Sequence, residues 1–281
     1  MVAVIVSFKL KLHPVPVVKH VEQFYPIAGA AEVATWARKI KQDPSTTGAN
    51  VEMAFIMGNA PPFLNPDGAD LKIAMLQLWA ICDSDAEADS SLALFQEPPC
   101  KPIQPVEPPK TKKLIDFLES LEPIYPLKAR YALDAFHVFD SMQPGGTTDW
   151  HPIVSRISSE LATSDIGGPQ ATSCCLIVFF STHAMSPVEG AFGEIPDAIC
   201  IAYMIYGDAS RDFEMEATLK RVMAPVSEIE TRPSLHEGKI CAGVRKPNAW
   251  GPNMAQVLET RKKLDPDSRF GHFLPVGETS G

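Results

Sequence analysis

The sequence lacks an excess of basic residues: 25 Lys and Arg stand against 34 Asp and Glu, a formal net charge of -9. A general nucleic-acid binder needs a basic face to displace phosphate counterions, so this balance argues against one. It offers nothing to an anionic membrane surface either, and its simplest consequence is solubility. Long apolar runs are missing too, none reaching the roughly 18 residues of a membrane span. The apolar start, residues 1–8, has no basic segment and no small-residue cleavage site. It reads as a strand, and the expected location is the cytoplasm. The cysteines (Cys82, Cys100, Cys174, Cys175, Cys200 and Cys241) include no C-x-x-C pair, and the histidines no H-E-x-x-H. Buried reduced thiols are expected, and no metal site. No G-x-G-x-x-G is present, and the doublets Gly145–Gly146 and Gly167–Gly168 read as turns. Nothing here is expected to hold a pyrophosphate unaided.

What is present suits a globular protein. The 281 residues suffice for one large or two modest domains, with 45% hydrophobic and 21% charged residues. The 26 prolines imply many loops. Residues 2–12 alternate as a strand, stopped by His13-Pro14-Val15-Pro16. Residues 30–42 place Val33, Trp36, Ala37 and Ile40 on one helical face, ended by Asp43-Pro44. Residues 51–57 and 71–82 read as an antiparallel hairpin with a long loop. Asp83-Ser84-Asp85 supplies N-cap chemistry for a helix to about 94.

The segment 98–109 is proline-rich and extended. Helices are expected over 112–121, over 152–162 behind a Thr148 or Asp149 cap, and over 209–223, ended by Pro225. A last helix is expected from about 251 to before Asp265, with Met254, Val257, Leu258 and Leu264 inward. Residues 173–181 and 198–206 are mostly apolar strands. Mixed order without β-α alternation predicts an α+β fold, a mostly antiparallel sheet with helices packed on one face.

Two stretches at opposite ends of the chain carry a family likeness. Near the start stands Val-Ser-Phe-Lys-Leu-Lys-Leu-His-Pro-Val-Pro, from Val6 to Pro16. Near the end stand Ala249-Trp250-Gly251-Pro252-Asn253, then Val257-Leu258, then Lys263-Leu264-Asp265-Pro266-Asp267-Ser268-Arg269-Phe270. Together they resemble the FAD-linked oxidases of the berberine-bridge-enzyme-like family. The first resembles the strand by which such chains leave the flavin domain, and the second resembles their C-terminal signature. Trp250 stands where that family usually has Tyr, and Leu264 where it has an aromatic residue.

The resemblance implies a remnant of the exit strand over 1–16, a substrate domain over 17–240 and a C-terminal element over 241–281. Most of the FAD-binding domain, with its phosphate contacts, would lie outside this sequence. It implies FAD as cofactor, with Asn253 and, second to it, Trp250 near the flavin. The expected partners are a small organic substrate of the secondary-metabolite kind, and either a separate flavin-domain chain or a second copy.

Flavin oxidation of an alcohol or amine needs a base for the substrate proton. In relatives that base is often a Tyr or Glu, yet residues 224–233 contain no tyrosine. The candidates are Tyr203, Tyr206 and His183, with Glu189 near the last. Tyr203 and Tyr206, three apart on one strand, must point to opposite faces. Glu228 and Glu230 read as solvated loop, His137 as a buried histidine, and His151 as part of a helix start. Three readings stay open: a truncated FAD-linked oxidoreductase, a cofactor-free descendant that binds a ligand or does non-redox chemistry, and an inactive fragment.

Overall fold

Period-two alternation runs through six long strands, and it decides what each face of the sheet buries. The computed structural model describes residues 16–113, 115–116, 129–169, 171–182, 195–229, 231–233, 254–264 and 266. The strands are β1 (Val17–Pro26), β2 (Val51–Asn59), β3 (Lys72–Cys82), β4 (Lys110–Lys112), β5 (Arg130–Val138), β6 (Cys174–Phe179), β7 (Ala198–Tyr206) and β8 (Thr231–Pro233). They form one eight-stranded sheet in the order β4-β1-β3-β2-β6-β7-β5-β8. Every pairing is antiparallel. The fold is therefore α+β, as the sequence predicts.

The helices are α1 (Ala30–Gln42), α2 (Asp85–Ala93), α3 (Trp150–Thr163), α4 (Asp212–Ser227) and α5 (Met254–Leu264). The first four share one core with a single face of the sheet. Val33, Ala37, Leu92, Ile157 and Val222 meet Phe55, Leu76, Ile177 and Cys200 there, all almost wholly buried. Burying one such large side chain contributes about 1.5–3 kcal/mol. Local chemistry fixes the helix starts. The Ser84 side chain accepts from the Glu87 amide at 3.2 Å, and Glu87 returns to the Asp83 amide. Asp149, not Thr148, caps α3 by accepting from the His151 amide.

Several elements depart from the sequence reading, each for a physical reason. The strand β1 escapes the pattern because its core-facing row carries Lys19 and Gln23, both buried. Lys19 is neutralised by Asp85 and Asp89 of α2. Gln23 donates to the Phe95 carbonyl at 2.9 Å and accepts from the Tyr25 hydroxyl at 2.5 Å. In β5, Asp134 interrupts the apolar row of Ala132, Phe136 and Val138.

Lys112, expected to start a helix, instead ends the edge strand β4 opposite Val18. Pro225 does not end α4. It is buried in the last turn, and the helix runs on to Ser227, closed by the Glu228 amide on the Ala224 carbonyl at 3.0 Å. Leu264 is 56% exposed, not inward. The expected strand over 2–12 and the side chains of Met254, Val257 and Leu258 lie outside the described residues.

Candidate functional site

The face of the sheet turned away from α1–α4 is also apolar, and strand register orders it into rows. One row runs Glu22, Gln77, Ala54, Val178, Ile199, His137 across six strands. The next runs Phe24, Met75, Ile56, Leu176, Ile201, Ala135. The third runs Pro26, Ile73, Gly58, Cys174, Tyr203, Leu133. Side chains at both flanks bury one another: Ile201, Tyr203 and Ile205 pack with Ala135, while Phe24 and Ile73 pack with Ala60. Between those clusters Ala54, Ile56, Met75, Leu176, Val178 and Ile199 stay half-buried. They form an apolar floor over β3, β2, β6 and β7.

Polar groups close one end of this floor. Gln77 donates to the Glu22 carboxylate at 3.1 Å. His20, one row further out, stacks on Trp79 with ring centroids 3.9 Å apart. Its Nε2 is buried, makes no hydrogen bond and lies 3.6 Å from Glu22. Burial, helped by Lys112 and Lys110, pushes the His20 imidazole down to about 4. It is therefore neutral at pH 7. Sequence reasoning missed His20, Glu22, Gln77 and Trp79. Their signal was the alternation within β1, readable only once β1 is paired with β3.

The predicted site residues separate. Tyr203 and Tyr206 take opposite faces, as their spacing requires. Tyr203 lies on the helix-free face and is 4% exposed. Tyr206 turns to the helix side, where its hydroxyl donates to Asp212 at 3.0 Å. Burial and that carboxylate hold the phenol above its usual range. His137 lies in the first row on the helix-free face, between Ile199 and Arg232 of β8, and is edge-on to Phe139. His151 sits on the other side of the sheet, in α3, 3.8 Å from Glu32. Glu228 pairs with Arg156 at 2.5 Å. His183, Glu189, Glu230, Asn253 and Trp250 lie outside the described residues.

Three of the described thiols lie on the paired strands β6 and β7. Cys174 on the helix-free face is pushed up to about 12 by burial. On the helix side, Cys175 and Cys200 place their sulfurs 3.8 Å apart, and Cys175 is raised by that contact and by burial. Among the described residues no three His, Cys, Asp or Glu side chains group to hold a metal ion. No described helix is long and apolar enough to cross a membrane.

The glycine turns do not fit the phosphates of a dinucleotide. The doublet Gly167–Gly168 has the positive φ of an anion-binding turn, at 101° and 96°. Both amides are already taken by Asp165 Oδ1, at 3.0 and 2.7 Å. In the other doublet, the Gly146 amide bonds the Gln143 carbonyl.

No family model matches the chain. No curated protein matches it in sequence either. Solved structures do match in shape. CrmK, a flavoenzyme involved in the shunt product recycling mechanism in caerulomycin biosynthesis, aligns with a TM-score of 0.64 at 13% identity, over 90% of this chain and 54% of its own. A variant of berberine bridge enzyme, a reticuline dehydrogenase, gives 0.64 at 11% identity, over 95% and 57%. The 6-hydroxy-D-nicotine oxidase of Arthrobacter nicotinovorans gives 0.63 at 8% identity, over 94% and 55%. At such identities the likeness is one of fold: this chain shares an α+β fold with about half of each of these enzymes. The chain spans about half the length of these solved structures.

Proposed function

We propose that this chain is the substrate-binding half of an FAD-linked oxidoreductase acting on a small organic molecule, of the kind met in secondary metabolism. The observation that carries this reading is the half-buried apolar floor on a face that α1–α4 leave uncovered, in a fold shared with flavoenzymes. An apolar floor with a few placed polar groups is how small-molecule sites are built. The flavin belongs to a domain that packs over this face, because Asp165 already occupies the glycine turn best shaped for a phosphate. Asn253 and Trp250 remain the residues proposed to approach that flavin, and Tyr203 the proposed tyrosine on the substrate side.

Absorbance tests this. The purified chain alone, mixed with FAD and desalted, is expected to stay colourless between roughly 350 and 450 nm, where flavins absorb. Mixed with a flavin-binding half taken from one of the structural relatives, it is expected to yield a yellow complex. Tight retention of FAD by the chain alone sinks the proposal. A second reading, a ligand-binding domain without a cofactor, is favoured by Asp165 filling its own glycine turn. It predicts ligand binding with no flavin-domain association at all.

A further inference from the structure

The floor's own chemistry narrows what rests on it. From Met75 on β3 to Ile199 on β7 there are three inter-strand gaps, or about 14 Å at the usual strand spacing. Along the strands the two floor rows occupy about 7 Å. Of the eight side chains in this rectangle, seven (Ala54, Ile56, Met75, Leu176, Val178, Ile199 and Ile201) carry no hydrogen-bonding group, and the eighth, Gln77, has its amide turned to Glu22. A sugar laid here would leave hydroxyls desolvated and unpaired, at a cost that selects against it. An anion finds no lysine or arginine in either floor row from β3 to β7, and the arginine in register with the first row, Arg232, stands on β8, two strands beyond Ile199. The lysines of this face, Lys110 and Lys112, stand at the sheet edge opposite His20 and Val18, and Lys110 is engaged by Glu107. At the β1 end of the floor, Glu22 keeps 38% of its side chain exposed, and Gln77 steadies it. A carboxylate so held accepts a hydrogen bond from whatever reaches the end of the floor.

Resting on the reading of this face as the substrate surface, we infer that it takes an uncharged, flat molecule of two or three fused rings, oriented by a hydroxyl that donates to Glu22. The rings lie on the apolar rectangle, and the sheet supplies a broad contact for a planar face. Glu22 is a positioning group in this arrangement. It sets which end of the molecule points toward β1 and takes no part in bond breaking.

The test uses the full chain and three probes that share one ring system: a hydroxyphenanthrene, its methoxy counterpart and a phenanthrenesulfonate, with glucose as a fourth. Affinities are read from the fluorescence of the ring system with the chain dilute enough to be monomeric by sedimentation, and glucose is read as a competitor. The hydroxy compound is expected to bind about tenfold tighter than the methoxy compound, a gap of the size a charge-assisted hydrogen bond gives. In Glu22→Gln that gap shrinks to about threefold or less, while the methoxy affinity stays. Ile56→Asp is expected to remove binding of both. If it misfolds by circular dichroism, Met75→Gln replaces it, with an expected loss of about tenfold.

The outcomes separate the two layers of the argument. Binding that survives the folded floor substitution overturns the face as the site, and the proposed function's surface with it. Binding lost by the floor variants but tighter for the sulfonate or glucose overturns the substrate class alone. Failure of every probe to bind overturns the substrate class, and leaves the flavin-domain association as the separate check on the function.

Discussion

Asp197, whose side chain is wholly buried, is gripped by Arg38 of α1 through two bonds, Nε to Oδ2 at 3.2 Å and a terminal nitrogen to Oδ1 at 3.0 Å. The carboxylate also accepts from Trp150 Nε1 and Gln42 Nε2, each at 2.9 Å. Arg38 reaches on to Asp140. The hub thus ties α1 and α3 to the start of β7, at the end of the sheet where β5 and β6 finish. Removing one partner strands the others in a dry site, and breaking such a pair costs about 3–5 kcal/mol. Asp197→Ala should lose that much in urea unfolding, and Asp197→Asn less, since an amide still accepts. An Asp197→Ala midpoint equal to that of the parent would show the hub to be dispensable.

The stack of His20 on Trp79 makes the fold acid-sensitive above the range of carboxylates. The folded imidazole titrates at about 4 against an ordinary 6.5, driven first by burial and then by Lys112 and Lys110. Glu22 lies close enough to oppose them but makes no hydrogen bond to it. With the folded value depressed, the unfolded chain takes up the proton first. The contribution is whole above pH 6.5 and is lost as pH falls to about 4. It amounts to about 2 kcal/mol once solvent screening at the ring's open edge is allowed for. A stability profile of His20→Gln should be flatter than the parent's across that window. Parallel profiles would refute the assignment.

Much of this fold was legible because local chemistry and tertiary packing agree. The α1 helix spans the residues its apolar stripe predicts, and β7 spans 198–206 as read. The strands that escaped were those where the two levels disagree. In β1, Lys19 and Gln23 face a core that satisfies them through Asp85, Asp89 and the Phe95 carbonyl, partners about 65–75 residues away that no local window contains. The same blindness hid the site. Glu22 and Gln77 are 55 positions apart in sequence and become neighbours only through the β1–β3 register. The Tyr203–Tyr206 split was readable because it needs nothing beyond strand parity.

Two glycines offer a paired test of backbone against space. Gly167 has φ 101°, and a Cβ there would stand 2.2 Å from the Ile205 carbonyl oxygen. Gly145 has φ 78° with nothing within 4 Å. Gly145→Ala should cost about 1–2 kcal/mol, the left-handed penalty alone. Gly167→Ala adds a clash with β7 that only backbone movement relieves, and should exceed it by about 2 kcal/mol. Thermal unfolding of the two variants side by side measures the difference. Equal losses would mean that the Gly167 turn moves freely away from β7.

The helix-free face is expected to support self-association. Ile81 and Tyr131 are 38% and 41% exposed on it, beside the half-buried floor. Six long strands at the usual spacing cover a patch of roughly 700 Å², close to what one partner contributes to a stable interface. Part of that patch is polar (Glu22, Gln77, His20), but its apolar centre is left without a covering helix from α1–α4, which suits a contact surface. The chain by itself is therefore expected to sediment above its monomer mass of 30.6 kDa at micromolar concentration. Val178→Asp with Ile199→Asp, both on the floor and neither in the helix-side core, should return it to a monomer without unfolding it. A flavin-binding half should compete with self-association, because both would cover the same floor. A parent chain that sediments as a monomer would remove the need for any partner, and with it the physical ground for a covering domain.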